Sequence, residues 1–155
     1  MLKYASPVLQ PAKDEKGVWD GIMWELAEDW TIEFKNKRVH LILTIRKGFR
    51  TDGGSIPKLF QNIISPLGVY LVAFLVHDAL YATEYLPRSE ADWILLEILQ
   101  ELGATWWRRN EVWSAVRIGG GFVWEDHTPE TIAAARQMVS GSYQKSRGKL
   151  KYLTR

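Results

Sequence analysis

The residues of this chain best suited to chemistry lie in one short stretch, His77-Asp78-Ala79-Leu80-Tyr81, and in Ala91-Asp92 shortly after it. The apolar run Val69 to Val76 leads into His77 and sets its imidazole against a core rather than in open water. A buried imidazole needs a partner for each ring nitrogen. A carboxylate on one nitrogen fixes the tautomer and makes the other more basic, ready to take a proton from water or a hydroxyl. His77 with Asp92 as its orienting carboxylate is therefore the minimal base–orienter pair of a hydrolase. Asp78 is left to bind a cation. The loop around Asp52, Gly53 and Gly54 can add carbonyl oxygens, hard ligands of the kind that suit calcium.

Helices must position these groups. His77 and Tyr81 are four residues apart and share one face of a helix expected from about Leu67 to Thr83, while Asp78 points about 100° away. Pro87-Arg88-Ser89 breaks the chain and starts a second helix, expected over 89–102 and ended by Gly103. Its Leu95, Leu96, Ile98, Leu99 and Leu102 recur at helical spacing. A turn at 84–88 makes the two helices antiparallel neighbours. His77 and Asp92 then lie about equally far from that turn and face each other. The same residues also fit plainer roles. Ser89-x-x-Asp92 has the form of a capping box, and Arg88 and Asp92 are spaced to pair along one helix. A lone histidine on an apolar face is ordinarily a satisfied core residue.

The rest of the chain reads as α+β: an N-terminal antiparallel hairpin or small sheet packed on a bundle of three to four helices. Residues 1–18, with Pro7, Pro11 and Gly17, read as irregular. Trp30, Ile32 and Phe34 alternate with polar residues, and after the turn Lys35-Asn36-Lys37-Arg38 so do Val39, Leu41, Leu43 and Ile45, which predicts a hairpin. Residues 48–57 form a turn-rich loop with adjacent glycines, and a short helix is expected at 58–64. A third long helix is expected at 105–117 and ends at Gly119-Gly120-Gly121, followed by a strand-like Phe122-Val123-Trp124. Thr128-Pro129 opens a last helix to about Val139.

Composition sets the frame. At 155 residues one globular domain over 1–140 is expected, and a chain of this size buries a core without staples. Having no cysteine, it has no disulfides, thiolate chemistry or cysteine-bound zinc. No signal-peptide pattern opens the chain, and the run 69–76 is far short of the roughly 20 residues that span a bilayer. Residues 141–155 carry Lys145, Arg147, Lys149, Lys151 and Arg155 and no acid; setting them aside leaves 15 of the 20 basic residues against 18 acidic ones. This reads as a basic tail, either a frayed terminus or an arm for an acidic partner. It is too short to predict nucleic-acid binding. Of the eight tryptophans, Trp24, Trp30, Trp93, Trp106 and Trp113 fall on expected core faces. The adjacent Trp106 and Trp107 cannot both face inward.

Two resemblances follow from these motifs. Phe49-Arg50-Thr51-Asp52-Gly53-Gly54-Ser55-Ile56-Pro57, His77-Asp78-x-x-Tyr81, Arg88-x-x-Ala91-Asp92 and Val116-Arg117-x-Gly119-Gly120 together resemble a family of phage and bacterial proteins, domain of unknown function thirteen fifty-three. That resemblance implies a phage or prophage origin and no particular reaction. More loosely, a glycine loop, then H-D-x-x-Y, then A-D on the next helix is similar to the phospholipase A2 pattern, especially its short viral form. It implies His77 as the base activating water, Asp92 as its orienter, Tyr81 bracing the pair, and Asp78 binding calcium with carbonyls around Asp52 to Ser55. The 15-residue spacing from His77 to Asp92 is shorter than in those enzymes, and the loop lacks their glycine-x-glycine form. The expectation is a virion- or tail-associated assembly protein bound to other particle proteins, in the host cytoplasm or the particle. The alternatives are a calcium-dependent hydrolase of membrane lipid or cell envelope, and a non-enzymatic host-interaction protein.

Overall fold

The computed structural model describes residues 1–51, 70–146 and 148–154. Among the described residues the architecture is α+β, built from antiparallel sheets and four helices. The chain divides into two compact units, Met1–Asp52 with Ala134–Arg155, and Gly53–Ala133.

The first unit holds the strands β1 (Leu2–Tyr4), β2 (Leu9–Lys13), β3 (Trp19–Leu26), β4 (Trp30–Lys35), β5 (Val39–Ile45), β6 (Arg50–Thr51), β7 (Val139–Lys145) and β8 (Lys151–Leu153). They form a five-stranded sheet in the order β1-β4-β5-β7-β8 and a three-stranded sheet β2-β3-β6. The expected hairpin is β4–β5, with Ile32 opposite Leu43 and Phe34 opposite Leu41. All four are fully buried, as alternation over a half-buried sheet requires. Residues 1–18 are strand rather than irregular where β1 and β2 run. Pro11 is tolerated because β2 is an edge strand bonded only to β3.

The expected basic tail is instead part of the five-stranded sheet. β7 pairs along β5 from Val39–Lys145 to Ile45–Val139, and β8 pairs with β7. Val139, Tyr143 and Leu153 are buried while the lysines point outward, so five basic residues had masked an alternating pattern. Gly141 is needed here: a Cβ would collide with the backbone carbonyl of Ile42.

The second unit holds α1 (Leu71–Thr83), α2 (Arg88–Glu101) and α3 (Trp106–Glu125), and α4 (Pro129–Met138) leads from it into β7. Glu84, in the left-handed region at φ 47°, closes α1 by donating its N–H to the carbonyls of Leu80 and Tyr81. Thr128 caps α4, its hydroxyl accepting from the Thr131 N–H at 3.3 Å. The expected helix at 58–64, the turn of the loop at 52–57 and the start of the helix at 67–69 lie outside the described residues. α3 does not stop at the glycines but runs through them to Glu125, taking in the strand-like Phe122-Val123-Trp124. Trp30 is buried as expected, whereas Trp106, Trp107 and Trp113 are all exposed. No helix among the described residues is long and apolar enough to cross a membrane.

Candidate functional site

α1 carries His77 and Tyr81 on one face, one turn apart, with ring centroids 4.1 Å from each other. α2 turns back beside α1 and brings Asp92 to both. His77 Nε2 lies 3.0 Å from Asp92 Oδ1, and the Tyr81 hydroxyl donates to the same oxygen at 2.5 Å. The other carboxylate oxygen faces cations: Arg117 Nη1 from α3 at 3.4 Å, and Arg88 Nε at 4.0 Å. Arg88 does more than approach Asp92. Its Nε donates to the Tyr81 hydroxyl at 3.2 Å, and its Nη2 donates to the α3 carbonyls of Val116 at 3.0 Å and Arg117 at 2.8 Å. Five side chains thus tie three helices together around one carboxylate.

The cluster is withdrawn from solvent, with His77 6 % exposed, Tyr81 5 % and Asp92 2 %. Burial pushes the His77 imidazole below the ordinary histidine range, against the pull of its Asp92 hydrogen bond, so it is neutral at neutral pH. For Asp92 burial acts the other way and disfavours the charge. The hydrogen bonds from His77, Tyr81 and Arg117 outweigh it and hold the carboxyl below the usual carboxylate range. Burial and the Asp92 contact both push the Tyr81 hydroxyl up, so it stays protonated and donates. With the carboxylate ionised and Nε2 donating to it, the lone pair of His77 resides on Nδ1. Among the described residues no hydrogen bond engages that atom.

The glycine run explains how α3 comes close enough. A Cβ on Gly120 would sit 2.8 Å from the Tyr81 hydroxyl, and one on Gly121 would sit 3.2 Å from Arg88 Nη1. Glycine costs a helix interior about 1 kcal/mol relative to alanine. Here that cost is offset by the polar contacts that the close approach allows. Trp124, one turn beyond Gly120, packs edge-on against the Tyr81 ring at 5.0 Å.

Of the residues singled out from sequence, His77, Asp92 and Tyr81 meet as expected. Asp92 is not a helix cap: position 87 caps α2 without any side-chain bond, and the Asp92 carboxylate points to His77 and Tyr81. Its pairing with Arg88 is the longest contact in the cluster. Asp78 is half-buried and engaged in an interaction of its own, and it takes no part in the hydrogen bonds around Asp92. Asp52, Gly53 and Gly54 lie outside the described residues. Among those that are described, no three histidine or acidic side chains gather as metal ligands would. The pairing of Arg88 with Asp92 was foreseen, but not its bonds to Tyr81 and to the carbonyls of α3, nor the roles of Arg117, Gly120 and Gly121.

A family model described as "Protein of unknown function (DUF1353)" matches residues 24–116. The chain belongs to this DUF1353 family. The match takes in the H-D-x-x-Y and R-x-x-A-D motifs that build the cluster, and it ends one residue before Arg117. No curated protein and no solved structure matches the chain significantly.

Proposed function

We propose that the His77–Asp92–Tyr81 cluster is the general-base centre of a hydrolase that cleaves an ester, phospholipid being the first candidate. One observation carries this reading: the Nε2 side of a neutral, buried imidazole is held at 3.0 Å by a carboxylate that a tyrosine hydroxyl shares. That arrangement commits one nitrogen and makes the other a base. Water gives a proton to His77 Nδ1 as its oxygen bonds to the ester carbonyl carbon. The tetrahedral intermediate collapses, the bond to the leaving alcohol breaks, and that oxygen takes the proton back from the imidazolium. Asp92 stabilises the imidazolium in between, and Tyr81 and the two arginines keep Asp92 in place.

A calcium ion would polarise the carbonyl. Asp78 and carbonyls near Asp52, Gly53 and Gly54 are its proposed ligands, but the described residues alone do not form a cation site. The steps above therefore run through side chains only. The test is release of fatty acid from phospholipid vesicles, with calcium added or chelated, for the wild type and for His77→Ala. Expected is turnover by the wild type and a loss of at least about 100-fold in the variant, the usual contribution of a general base. A wild type inert under both conditions sinks the reading.

A second reading keeps the same residues as a clasp that fixes three helices, in a phage particle component without enzymatic activity. It is favoured by the apolar surface of α3, where Trp106, Trp107, Ile118 and Phe122 are 59 %, 74 %, 70 % and 73 % exposed. Mass spectrometry of purified particles would then find the protein in stoichiometric amount, and its absence would count against this reading.

A further inference from the structure

Arg117 differs from the other members of the cluster in one respect: its side chain is 44 % exposed, against 25 % for Arg88, 7 % for His77 and 2 % for Asp92. Its hold on Asp92 is a single contact from Nη1 at 3.4 Å, well beyond the roughly 2.7–2.9 Å of a strong charge-assisted bond. An arginine has five N–H donors in a planar fork. Among the described residues only that one finds an acceptor on Arg117. Trp113, one turn earlier and itself 46 % exposed, lies beneath the guanidinium, 6.0 Å from it. The backbone at Arg117 is fixed, because its carbonyl accepts from Arg88. Only the side chain has room to re-aim.

Asp92 does not depend on this contact alone, since His77, Tyr81 and Arg88 also face it. A guanidinium only loosely engaged, supported on an indole, open to solvent and one carboxylate away from a neutral base is suited to grip two oxygens of a phosphate with two donors. We propose that Arg117 is the anion-recognition residue of this site, and that the substrate is an ester that also carries a phosphate. The inference rests on the reading of His77 as a base. It adds the substrate class: a phosphate group, on a lipid headgroup or on a dissolved ester, bound by Arg117 while His77 acts on the adjoining ester carbonyl.

Binding is measured first, without turnover, through tryptophan fluorescence. The probes are vesicles of phosphatidylglycerol, vesicles of a phosphate-free glycolipid and dissolved glycerol 3-phosphate. Losing a hydrogen bond to a charged group weakens binding by about tenfold or more, so Arg117→Gln is expected to lose that much affinity for an anionic probe. Arg117→Lys keeps the charge without the fork and is expected to fall in between; it serves as the test variant if the glutamine protein does not fold. Tight binding of the phosphatidylglycerol vesicles alone assigns the anion to a lipid surface, and tight binding of glycerol 3-phosphate assigns it to a dissolved ester. Equal binding of phosphatidylglycerol and phosphate-free vesicles with no binding of glycerol 3-phosphate overturns the proposal, as does unchanged affinity in both variants. Hydrolysis separates the two claims. If the wild type binds phosphate through Arg117 but hydrolyses nothing, the base reading fails and anion recognition stands. If the wild type hydrolyses and Arg117→Gln keeps its KM, anion recognition fails and the base reading stands.

Discussion

His77–Asp92 in the helical unit and His40–Glu33 in the sheet unit are histidine–carboxylate pairs of the same length, 3.0 Å between Nε2 and oxygen. Their surroundings have little else in common. His40 reaches Glu33 diagonally across β4 and β5, both side chains are about a third exposed, and Lys3 also approaches Glu33, at 3.6 Å. The hydrogen bond from His40 holds the Glu33 carboxyl below its usual range. In the other pair the side chains are 7 % and 2 % exposed, and a tyrosine and two arginines converge on the carboxylate. Contact distance therefore does not mark a site. Desolvation makes each polar group depend on its partners, and further partners fix which nitrogen is free.

The widest gap between the pairs should appear when the acid is removed. Asp92→Ala leaves the buried His77 and Tyr81 without the acceptor they share. Breaking a buried pair in this way costs about 3–5 kcal/mol. Glu33→Ala returns His40 to water and should leave the denaturation midpoint nearly unchanged. Urea melts of both variants decide the matter. Equal losses would mean that burial does not separate the two regions.

Next comes the glycine at the crossing of α3 over Tyr81. Gly120→Ala places a methyl group 2.8 Å from the Tyr81 hydroxyl and 3.2 Å from Cε1. Overpacking of this kind costs about 1–3 kcal/mol, and roughly 1 kcal/mol returns through the better helix propensity of alanine. A net loss of up to about 2 kcal/mol is expected. Tyr81→Phe removes the nearest atom and should recover part of it, so the double variant loses less than the sum of the two single ones. Strict additivity would show that Gly120 and Tyr81 do not meet.

Much of this arrangement was legible in the sequence because it is local. The i,i+4 pair His77 and Tyr81, a turn at 84–88 and the distance from it to Asp92 are enough to make two helices face each other. The β4–β5 hairpin was legible for the same reason, as two alternating runs around a polar turn. What was hidden depends on partners far along the chain. Arg117 joins Asp92 across 25 residues, and a surface arginine gives no sign of that in its own neighbourhood. The glycines at 119–121 read as a helix end because propensity is a local quantity, while the contacts that keep α3 helical come from Tyr81 and Arg88. In β7 the lysines drew attention to charge, and the buried Val139 and Tyr143 acquire meaning only beside β5. Trp106 and Trp113 were placed on expected core faces, and α3 turns them outward.

The pairs should also respond differently to acid. The His77 imidazole is depressed in the fold relative to its ordinary value near 6.5, so below that pH the unfolded chain takes up the proton first. Stability from keeping His77 neutral is thus fully present above about pH 6.5 and is lost as pH falls through the depressed folded value. His77→Gln, which cannot protonate, should flatten the stability curve in that window, as followed by urea melts from neutral pH downward. If hydrolysis depends on neutral His77, its acid limb should begin below pH 6.5 as well. A variant with the wild-type slope would assign the acid sensitivity to other groups.

The smallest effect is expected where the same chemistry lies at the surface. His40→Gln keeps a hydrogen-bond donor near Glu33 and removes only a partly solvated ring. An exposed pair gains little over its hydrated partners, because water already satisfies both groups and salt screens what attraction remains. The melt of His40→Gln should overlay the wild type at moderate salt, and any difference seen at low salt should vanish as salt rises. The same titration on His77→Gln should leave its loss in place, since screening by dissolved ions is weak at a pair whose side chains are 7 % and 2 % exposed. A salt-insensitive loss at His40 would show that its pair is held as tightly as the buried one, and exposure would then fail as the property that divides the two regions.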